Sequence, residues 1–320
     1  MRVRYLLRKV AWAFVTLFFV LAVNFFLFRV MPGDPVALLA RSQRLSPDAI
    51  EQQRALFGLD QPLIQQFGTY VQQTMSFRFG SSLLSARPVT EIIGSRVWPT
   101  VLLVGVGTTL AVVLGLLAGV KGGWARDSKF DRGSLYGSLL LYATPEGWLG
   151  MLLLIVFAGT LGWFPSGGYS SGTGTGIEHV TDVLNHLVLP ALTLTLGYIG
   201  QYMIVMRSSL LDVKDEEYVA TARAKGLTDP MVRRRHAVPN AFLPSFTLIV
   251  LSFGFVLGGA IVVETVFSWP GLGQLTYQAI ESQDFPVLQA VFLLTSFAVI
   301  IANLVADVAY TFLDPRIEEA

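Results

Sequence analysis

Six long apolar runs, uncharged except for Glu146 in the third, constrain this 320-residue chain more than any other feature of its sequence. A helix needs roughly 20 apolar residues to cross the ~30 Å hydrocarbon core of a bilayer. Only 14% of the residues are charged, too few to cover a soluble core of this hydrophobicity. The sequence therefore predicts an all-α, polytopic membrane protein with six transmembrane helices. The runs, with ends placed to within several residues, are Val10–Phe28, Val97–Val120, Gly133–Trp163, Leu187–Met206, Pro244–Val263 and Phe285–Ala306, the last extending toward Phe312.

The distribution of lysine and arginine predicts the orientation of these helices. Cytoplasmic loops carry an excess of basic residues, and short loops report it best. The loops Leu161–His186 and Thr265–Asp284 contain no lysine or arginine, so they are expected outside. Both termini are then expected in the cytoplasm. The segments that fall inside are basic: they hold Arg2, Arg4, Arg8, Lys9, Lys121, Arg126, Lys129, Arg132, Arg316 and seven more between residues 207 and 235.

A long outer loop follows the first span. Ser46 can cap an amphipathic helix that ends at Gly58, and Pro62 starts another. Both are expected to lie on the outer membrane surface or on neighbouring spans. The predicted organisation is an N-terminal segment with the first transmembrane helix (1–30), the outer loop (31–97), and a core of five transmembrane helices (98–320) that includes a charged loop (211–243).

One stretch, EEYVATARAKGLTDPMVRRRHAVPN (Glu216–Asn240, the charged block), is compact and helix-forming within an otherwise apolar chain. Its alanines favour a helix before Gly226, which is suited to end that helix with a positive φ. Thr228 or Asp229 can cap a second helix, and Pro239 is expected to end it. The pattern predicts a rigid helix–glycine–helix unit rather than a solvated loop.

The charged block resembles the cytoplasmic coupling loop of ABC importer permeases, whose general pattern is E-A-A-x3-G-x9-I-x-L-P. On this chain the glycine falls at Gly226 and the closing proline at Pro239. The E-A-A positions fall at 220–222 and the I-x-L positions at 236–238, so alanine replaces the glutamate and histidine the isoleucine. The resemblance covers nearly the whole chain and is closest to the B-type subunit of the dipeptide/oligopeptide branch. The further motifs that carry it are PGDP, FGLDQPL, RPVTEIIGSR, LGWFPSGGY, VFSWPGLGQL and LDPRI.

This resemblance implies a type I ABC importer permease fold in the cytoplasmic membrane of a bacterium or archaeon. In the family, two homologous permeases form the pore as a heterodimer surrounded by lipid, and a binding protein outside delivers the solute. Separate cytoplasmic ATPase subunits bind ATP and magnesium, so this chain is expected to carry no cofactor. Each coupling loop sits in a cleft of an ATPase, which the alanines at 220, 222 and 224 are expected to approach closely. The positions carried over as contacts are Glu216, Glu217, Ala220, Thr221, Ala222, Arg223, Lys225, Gly226, Asp229 and Pro239.

The residues themselves argue against a self-sufficient pump or enzyme. No G-x4-G-K-[ST] loop occurs, so the chain is not expected to hydrolyse ATP alone. It has no cysteine and no H-E-x-x-H pattern, so neither a catalytic thiol nor a metal site is predicted. Its net charge of +1 gives no basic field for nucleic acid. A secondary transporter or channel and an intramembrane enzyme are the competing interpretations. A secondary transporter usually shows inverted repeats and several intramembrane charges, which this sequence lacks.

Two carboxylates in the apolar runs are candidates for the translocation path. Glu146 lies in the middle of the third run, at a depth where a charge seldom faces lipid. It is expected to line the pore and meet a substrate amine, or else to bond a neighbouring helix or be protonated. Glu264 lies near the end of the fifth run, where contact with an interface or with lipid headgroups competes with that role. Di- or oligopeptides lead as the substrate, with nickel complexes, glutathione and oligosaccharides as alternatives.

Overall fold

The structure is a computed structural model, and every regular element in its described part is helical. The prediction of an all-α protein is confirmed. The motif PGDP, the motif LDPRI after its first residue, and the predicted helix Ser46–Gly58 lie outside the described residues. The structure describes residues 2–30, 61–172, 174–254 and 260–313.

The helices are, in chain order, α1 Arg2–Val30, α2 Leu63–Met75, α3 Val89–Trp124, α4 Lys129–Ala143, α5 Glu146–Leu153, α6 Ile177–Lys214, α7 Glu217–Ala224, α8 Asp229–Val232, α9 Val238–Gly254, α10 Ile261–Val266, α11 Leu272–Glu281 and α12 Phe285–Leu313. Two π-helical segments, Leu154–Thr160 and Arg233–Ala237, directly follow α5 and α8. The contacts group the chain into two compact units, Met1–Trp98 with Leu275–Ala320, and Pro99–Gln274. The last segment thus groups with the first helix, whereas the sequence-based division assigned it to the core.

Four helices in the described part are long and apolar enough to cross a membrane: α1, α3, α6 and α12. Helix α4 and helix α5 with its π-helical extension are bent by 102° relative to each other. They make a fifth span only if this bent pair is taken as one broken span. The predicted fifth run, 244–263, holds the end of α9 and the start of α10, and residues 255–259 between them are not described. The count of six spans and the orientation of the termini therefore stay predictions.

The expectation of one continuous third span is wrong because of Pro145. A proline has no backbone N–H, and its ring keeps the preceding residue out of the helical region. Thr144 accordingly has an extended backbone, with φ −85° and ψ 125°. The chain leaves α4 there and starts α5 in a new direction, so Glu146 lies at the start of a helix rather than in the middle of one.

In the first unit, α1 and α12 pack side by side in antiparallel order. At one end, the Lys9 Nζ donates to the Asp307 carboxylate at 2.9 Å. Toward the other end, the Asn24 Nδ2 donates to the Gln289 carbonyl at 3.1 Å. These polar pairs lie toward opposite ends of the two helices and hold their register.

Helix α2 is the amphipathic helix that Pro62 was predicted to start. Phe67 and Tyr70 on its apolar face lie 5.3 and 5.5 Å from the ring of Phe25 on α1, measured between centroids. The sequence left two positions open for this helix, the outer membrane surface or a neighbouring span. Its apolar face packs on a neighbouring span, α1.

In the second unit, glycines allow α3 to lie directly against α6. A Cβ atom at Gly115 would approach the Ile199 carbonyl oxygen to 2.8 Å, and one at Gly119 would approach the Met203 carbonyl oxygen to 2.7 Å. Real Cβ atoms do not come that close, so any other residue would push the helices apart. The small-x3-small spacing of these glycines is the spacing that lets helix backbones pack closely. The main apolar core of this unit contains Leu103, Val104, Leu187, Leu189, Ala191, Leu194, Val263, Phe267 and Trp269.

Candidate functional site

The charged block forms two short helices joined at Gly226, as predicted. This glycine has φ +79°, and its N–H donates to the Arg223 carbonyl at 2.9 Å where α7 ends. A Cβ atom at this position would have nothing within 4 Å, so the backbone conformation alone, and not crowding, favours glycine. Thr228, one of the two predicted caps, precedes α8 with an extended backbone.

The charged block has a small apolar core of its own. Val219 and Val232 are fully buried, and Ala222 is only 5% exposed. These three side chains pack together, with Val213, Leu227 and Trp124 around them. The expectation that 220, 222 and 224 all face a partner is therefore wrong at Ala222, which lies three residues after Val219 and on the same side of α7. Ala220 and Ala224 are exposed, and they remain available to another protein.

Trp124, the last residue of α3, anchors the charged block. Its indole Nε1 donates to the Asp229 carboxylate at 2.7 Å, and its carbonyl accepts from the Lys214 Nζ at 2.8 Å. The Lys214 ammonium and the Arg223 guanidinium lie 5.3 and 5.6 Å from its ring centroid, within the range of cation–π attraction. One side chain thus joins the ends of α3 and α6 to both helices of the block. Sequence reasoning missed this role, because a tryptophan at the end of an apolar run is typical of a membrane interface.

The outer face of the charged block carries charges of both signs. Partial burial raises the pKa of the Tyr218 hydroxyl above its ordinary value, and the neighbouring Glu216 carboxylate acts in the same direction. Tyr218 is therefore a neutral hydrogen-bonding group at physiological pH. The exposed polar positions include Glu216, Glu217, Thr221, Lys225, Asp229, Arg234 and Arg235.

The second helix of the block does not end at Pro239, contrary to the prediction. The chain continues from α8 through the π-helical segment Arg233–Ala237 into α9, and Pro239 lies in the first turn of α9. A proline ring inside an α-helix clashes with the carbonyl four residues earlier. The wider π-helical turn just before Pro239 relieves that clash. The charged block is consequently continuous with α9.

Arg207, one of the seven basic residues near the block, is not a surface charge. Its guanidinium contacts the Asp131 carboxylate at 2.6 and 2.8 Å, and the Asp131 side chain is only 1% exposed. The backbone N–H of Asp127 donates to the same carboxylate at 2.9 Å. The fork geometry of arginine suits such a two-point contact, which joins α4 to α6. This pair was not predicted.

Glu146 lies half-buried in the first turn of α5, beside α6. It is adjacent to Tyr198. A Cβ atom at Gly197 would approach the Glu146 Cγ to 3.3 Å, so this glycine leaves room for the carboxylate. The break before α5 also frees backbone N–H groups, since no side chain caps the helix. Such a break is tolerated within a membrane where it lines a cavity or is covered by protein.

Glu264, the second path candidate, is fully buried in this structure. Its carboxylate accepts from the Thr100 hydroxyl and from the Gln274 backbone N–H, each at 2.9 Å. The Thr100 hydroxyl in turn accepts from the Leu272 N–H at 2.7 Å. The carboxylate serves as an internal anchor for the turn after α10. A role of Glu264 in the translocation path stays a prediction.

The motif VFSWPGLGQL forms that turn. Trp269 is fully buried, and its indole Nε1 donates to the Pro99 carbonyl at 2.9 Å. Gly271 and Gly273 lie against the Glu264 carboxylate so closely that a Cβ atom on either would collide with it. The glycines of the motif are explained by this approach, and the tryptophan by its buried hydrogen bond.

The described part of the chain thus combines helices long and apolar enough to cross a membrane with a charged block that is anchored to them through Trp124. Residues 111–319 match the family described as the binding-protein-dependent transport system inner membrane component, and residues 2–103 match its N-terminal family. The chain belongs to this family of ABC importer permeases, in its peptide branch, and is a membrane permease subunit. Permeases of this family are integral membrane proteins of bacteria and are non-catalytic subunits.

Individual relatives match over almost the whole chain. The glutathione transport system permease protein GsiC of Escherichia coli (strain K12) is 39% identical over 313 residues, covering 98% of each chain. A protein of Brucella suis biovar 1 (strain 1330), named for a peptide transport system permease, is 36% identical over 312 residues with the same coverage. Among solved structures, an inward-facing form of the MetNI methionine ABC transporter has a TM-score of 0.57 at 19% identity. That match covers 70% of this chain and 96% of the other. The structural match confirms the fold.

Proposed function

We propose that this permease forms half of a translocation pore and that its charged block is the site where an ATPase subunit binds. The observation that carries the proposal is the construction of the block: it has its own apolar core, it is tied to α3 and α6 through Trp124, and it leaves Ala220 and Ala224 exposed. Small exposed residues let a partner's backbone approach closely, and charges of both signs can pair around them.

The energy source in this proposal is the partner. Two cytoplasmic ATPase subunits bind ATP and magnesium, and a second, homologous permease completes the pore as a heterodimer. The closing of the ATPases on ATP moves each charged block as a rigid body. Because the block is continuous with α9 and tied to the ends of α3 and α6, its movement reaches three long helices at once. Both termini and the charged block lie in the cytoplasm, in agreement with the basic residues.

For the substrate we propose di- or oligopeptides, delivered by a binding protein outside the membrane. The relatives support this class, since one is named for peptide transport and another for glutathione, itself a small peptide. Glu146 is the candidate contact for the substrate's ammonium group, because a carboxylate beside a helix break suits a cavity more than lipid. Nickel complexes and oligosaccharides are the alternative cargoes.

A crosslinking experiment tests the coupling proposal directly. The chain has no cysteine, so Ala220→Cys or Ala224→Cys gives a single attachment point for a photo-crosslinker. We expect both variants to crosslink the ATPase in membranes that contain the whole transporter. Lys129→Cys, exposed and predicted to lie on the same side of the membrane, is the matched control. Equal crosslinking at Lys129→Cys, or none at either alanine, would contradict the assignment.

A further inference from the structure

The turn between α3 and α4 carries an excess of positive charge. Residues 121–132 contain four basic and two acidic side chains. Both acids are engaged, since Asp127 lies 3.6 Å from the Arg126 guanidinium and Asp131 is paired with Arg207 of α6. Three cations are left, which neither the coupling proposal nor the translocation path involves. They are exposed, and the described part of the chain provides no ion pair for any of them: Lys121, Lys129 and Arg132.

The sequence around the turn places these cations at the level of the lipid headgroups. Lys121 is the first charge after the run Val97–Val120, which is long enough to cross the hydrocarbon. Arg132 is the last charge of α4, whose remaining residues Gly133–Ala143 are uncharged. Both cations therefore lie where an apolar segment reaches the headgroup layer. This placement does not depend on which side of the membrane the turn faces.

One exposed face of α4 changes from charged to aromatic to apolar. Arg132 lies three residues after Lys129, so the two are neighbours on the helix surface. At spacings of four, Tyr136 and Leu140 continue the same face, with 70% and 71% of their surface exposed. Tyrosine is enriched where the hydrocarbon meets the headgroups. The order along this face is that of a phospholipid, from the phosphate to the acyl chains.

Phe130 brings the third cation to this helix. The Lys121 ammonium, in the last turn of α3, lies 4.2 Å from the centre of the Phe130 ring, within the range of cation–π attraction. The contact holds Lys121 beside the first turn of α4, where Lys129 begins the helix. An aromatic ring does not neutralise the ammonium, which stays able to bind an anion. The positive-inside rule explains the sign of these charges but does not require this contact between two helices.

We propose that Lys121, Lys129 and Arg132 bind the phosphate of an anionic phospholipid, with an acyl chain lying along the exposed face of α4. Arginine and lysine both bind phosphate, the first through its fork of donors and the second as a point charge. A zwitterionic lipid carries an ammonium of its own, which three cations repel, so the site selects a headgroup with net negative charge. A lipid bound here joins the end of α3 to the start of α4.

Native mass spectrometry of the full-length chain in detergent tests the proposal, with phosphatidylglycerol titrated against phosphatidylcholine. Lys121→Gln and Arg132→Gln should each weaken the binding of phosphatidylglycerol about fivefold, the factor that one basic residue contributes near an anionic surface. Phe130→Leu keeps every charge but releases Lys121, and it should weaken binding as well. Arg234→Gln removes the same charge from an exposed position in the charged block and should change nothing.

The pattern of losses decides between a built site and a general attraction. Equal losses in all the variants, Arg234→Gln included, would refute the site. Loss in Lys121→Gln without loss in Phe130→Leu would also refute it, because charge alone would then be sufficient.

Two further measurements separate the lipid from other occupants. Glycerol 3-phosphate carries the phosphate without acyl chains, so it should not displace phosphatidylglycerol at equal concentration. Displacement would indicate a soluble phosphate site instead and would overturn the proposal. The titration is then repeated on the assembled transporter, where the bound lipid should remain. Complete loss of the lipid on assembly would assign the three cations to an acidic surface of a partner subunit and refute the proposal.

Discussion

Replacing Gly226 isolates a backbone requirement of the charged block. Its φ of +79° is rare for residues with a side chain, while the space around it is open. An alanine at this position would meet no steric clash. Its only cost is the energy of holding a residue with a Cβ atom in the left-handed conformation, about 1–2 kcal/mol. Such a cost shifts the equilibrium between the intact and the opened block by a factor of about 5–30. Valine costs more because its branched Cβ tolerates positive φ poorly, whereas asparagine adopts this conformation more readily.

The assay is solute uptake, together with ATP hydrolysis stimulated by the binding protein, at equal abundance of each variant in the membrane. We expect Gly226→Asn to stay near the parent, Gly226→Ala to lose uptake severalfold, and Gly226→Val to lose it entirely. Hydrolysis should fall in parallel or persist without transport. Gly133→Ala is the matched control, since this helical glycine also has open space around it but no positive φ.

The order of the three substitutions is the informative result. Steric crowding would rank them by size, with asparagine worse than alanine, whereas a backbone requirement ranks asparagine above alanine. Normal uptake and full stimulated hydrolysis in Gly226→Val would refute the reasoning. The charged block would then be only a signal of membrane topology.

Four further outcomes follow from the described contacts. Trp124→Phe removes an indole hydrogen bond to a carboxylate, worth about 1.5–3 kcal/mol when it involves a charge, and should reduce uptake at unchanged abundance. Glu146→Gln should leave assembly intact and alter uptake; unchanged uptake of every substrate would return this residue to a structural role. A single cysteine at Ser171 should react with an impermeant thiol reagent added outside, and one at Thr228 should not; reaction at Thr228 would overturn both orientation and coupling. Glu264→Gln turns an amide N–H₂ toward existing donors, costing about 1–3 kcal/mol, so the purified variant should unfold at a lower temperature than the parent.

Local chemistry made much of the fold predictable. Apolar runs, caps and the glycine of the charged block each depend on residues within one or two turns, and α2, α7 and the long spans formed where the patterns indicated. The errors at Pro145 and Pro239 are also local. At Pro145 the chain leaves one helix and starts another in a new direction. At Pro239 the helix continues, with a π-helical turn just before the proline. The sequence contains both prolines but does not reveal which response the backbone takes.

The internal anchors could not be read from the sequence, because their partners are distant along the chain. Trp124 bonds to Asp229, which is 105 positions away. Arg207 bonds to Asp131 at a separation of 76 positions, and Glu264 bonds to Thr100 at a separation of 164 positions. A charged or aromatic residue at the edge of an apolar run has several possible partners, and only the fold selects one. The same limit explains Ala222, whose burial depends on Val232 in the next helix.

The length of α6 has a mechanical consequence. Its 38 residues extend about 57 Å at 1.5 Å per residue, nearly twice the ~30 Å of hydrocarbon. Turned by about 5° around one end, a straight rod of that length moves its other end by about 5 Å, roughly one helical turn. The glycine contacts of α3 with α6 make such a rod stiffer than a single helix. A rotation of α6 by a few degrees inside the membrane therefore displaces Lys214, at the end of the helix, by several ångströms.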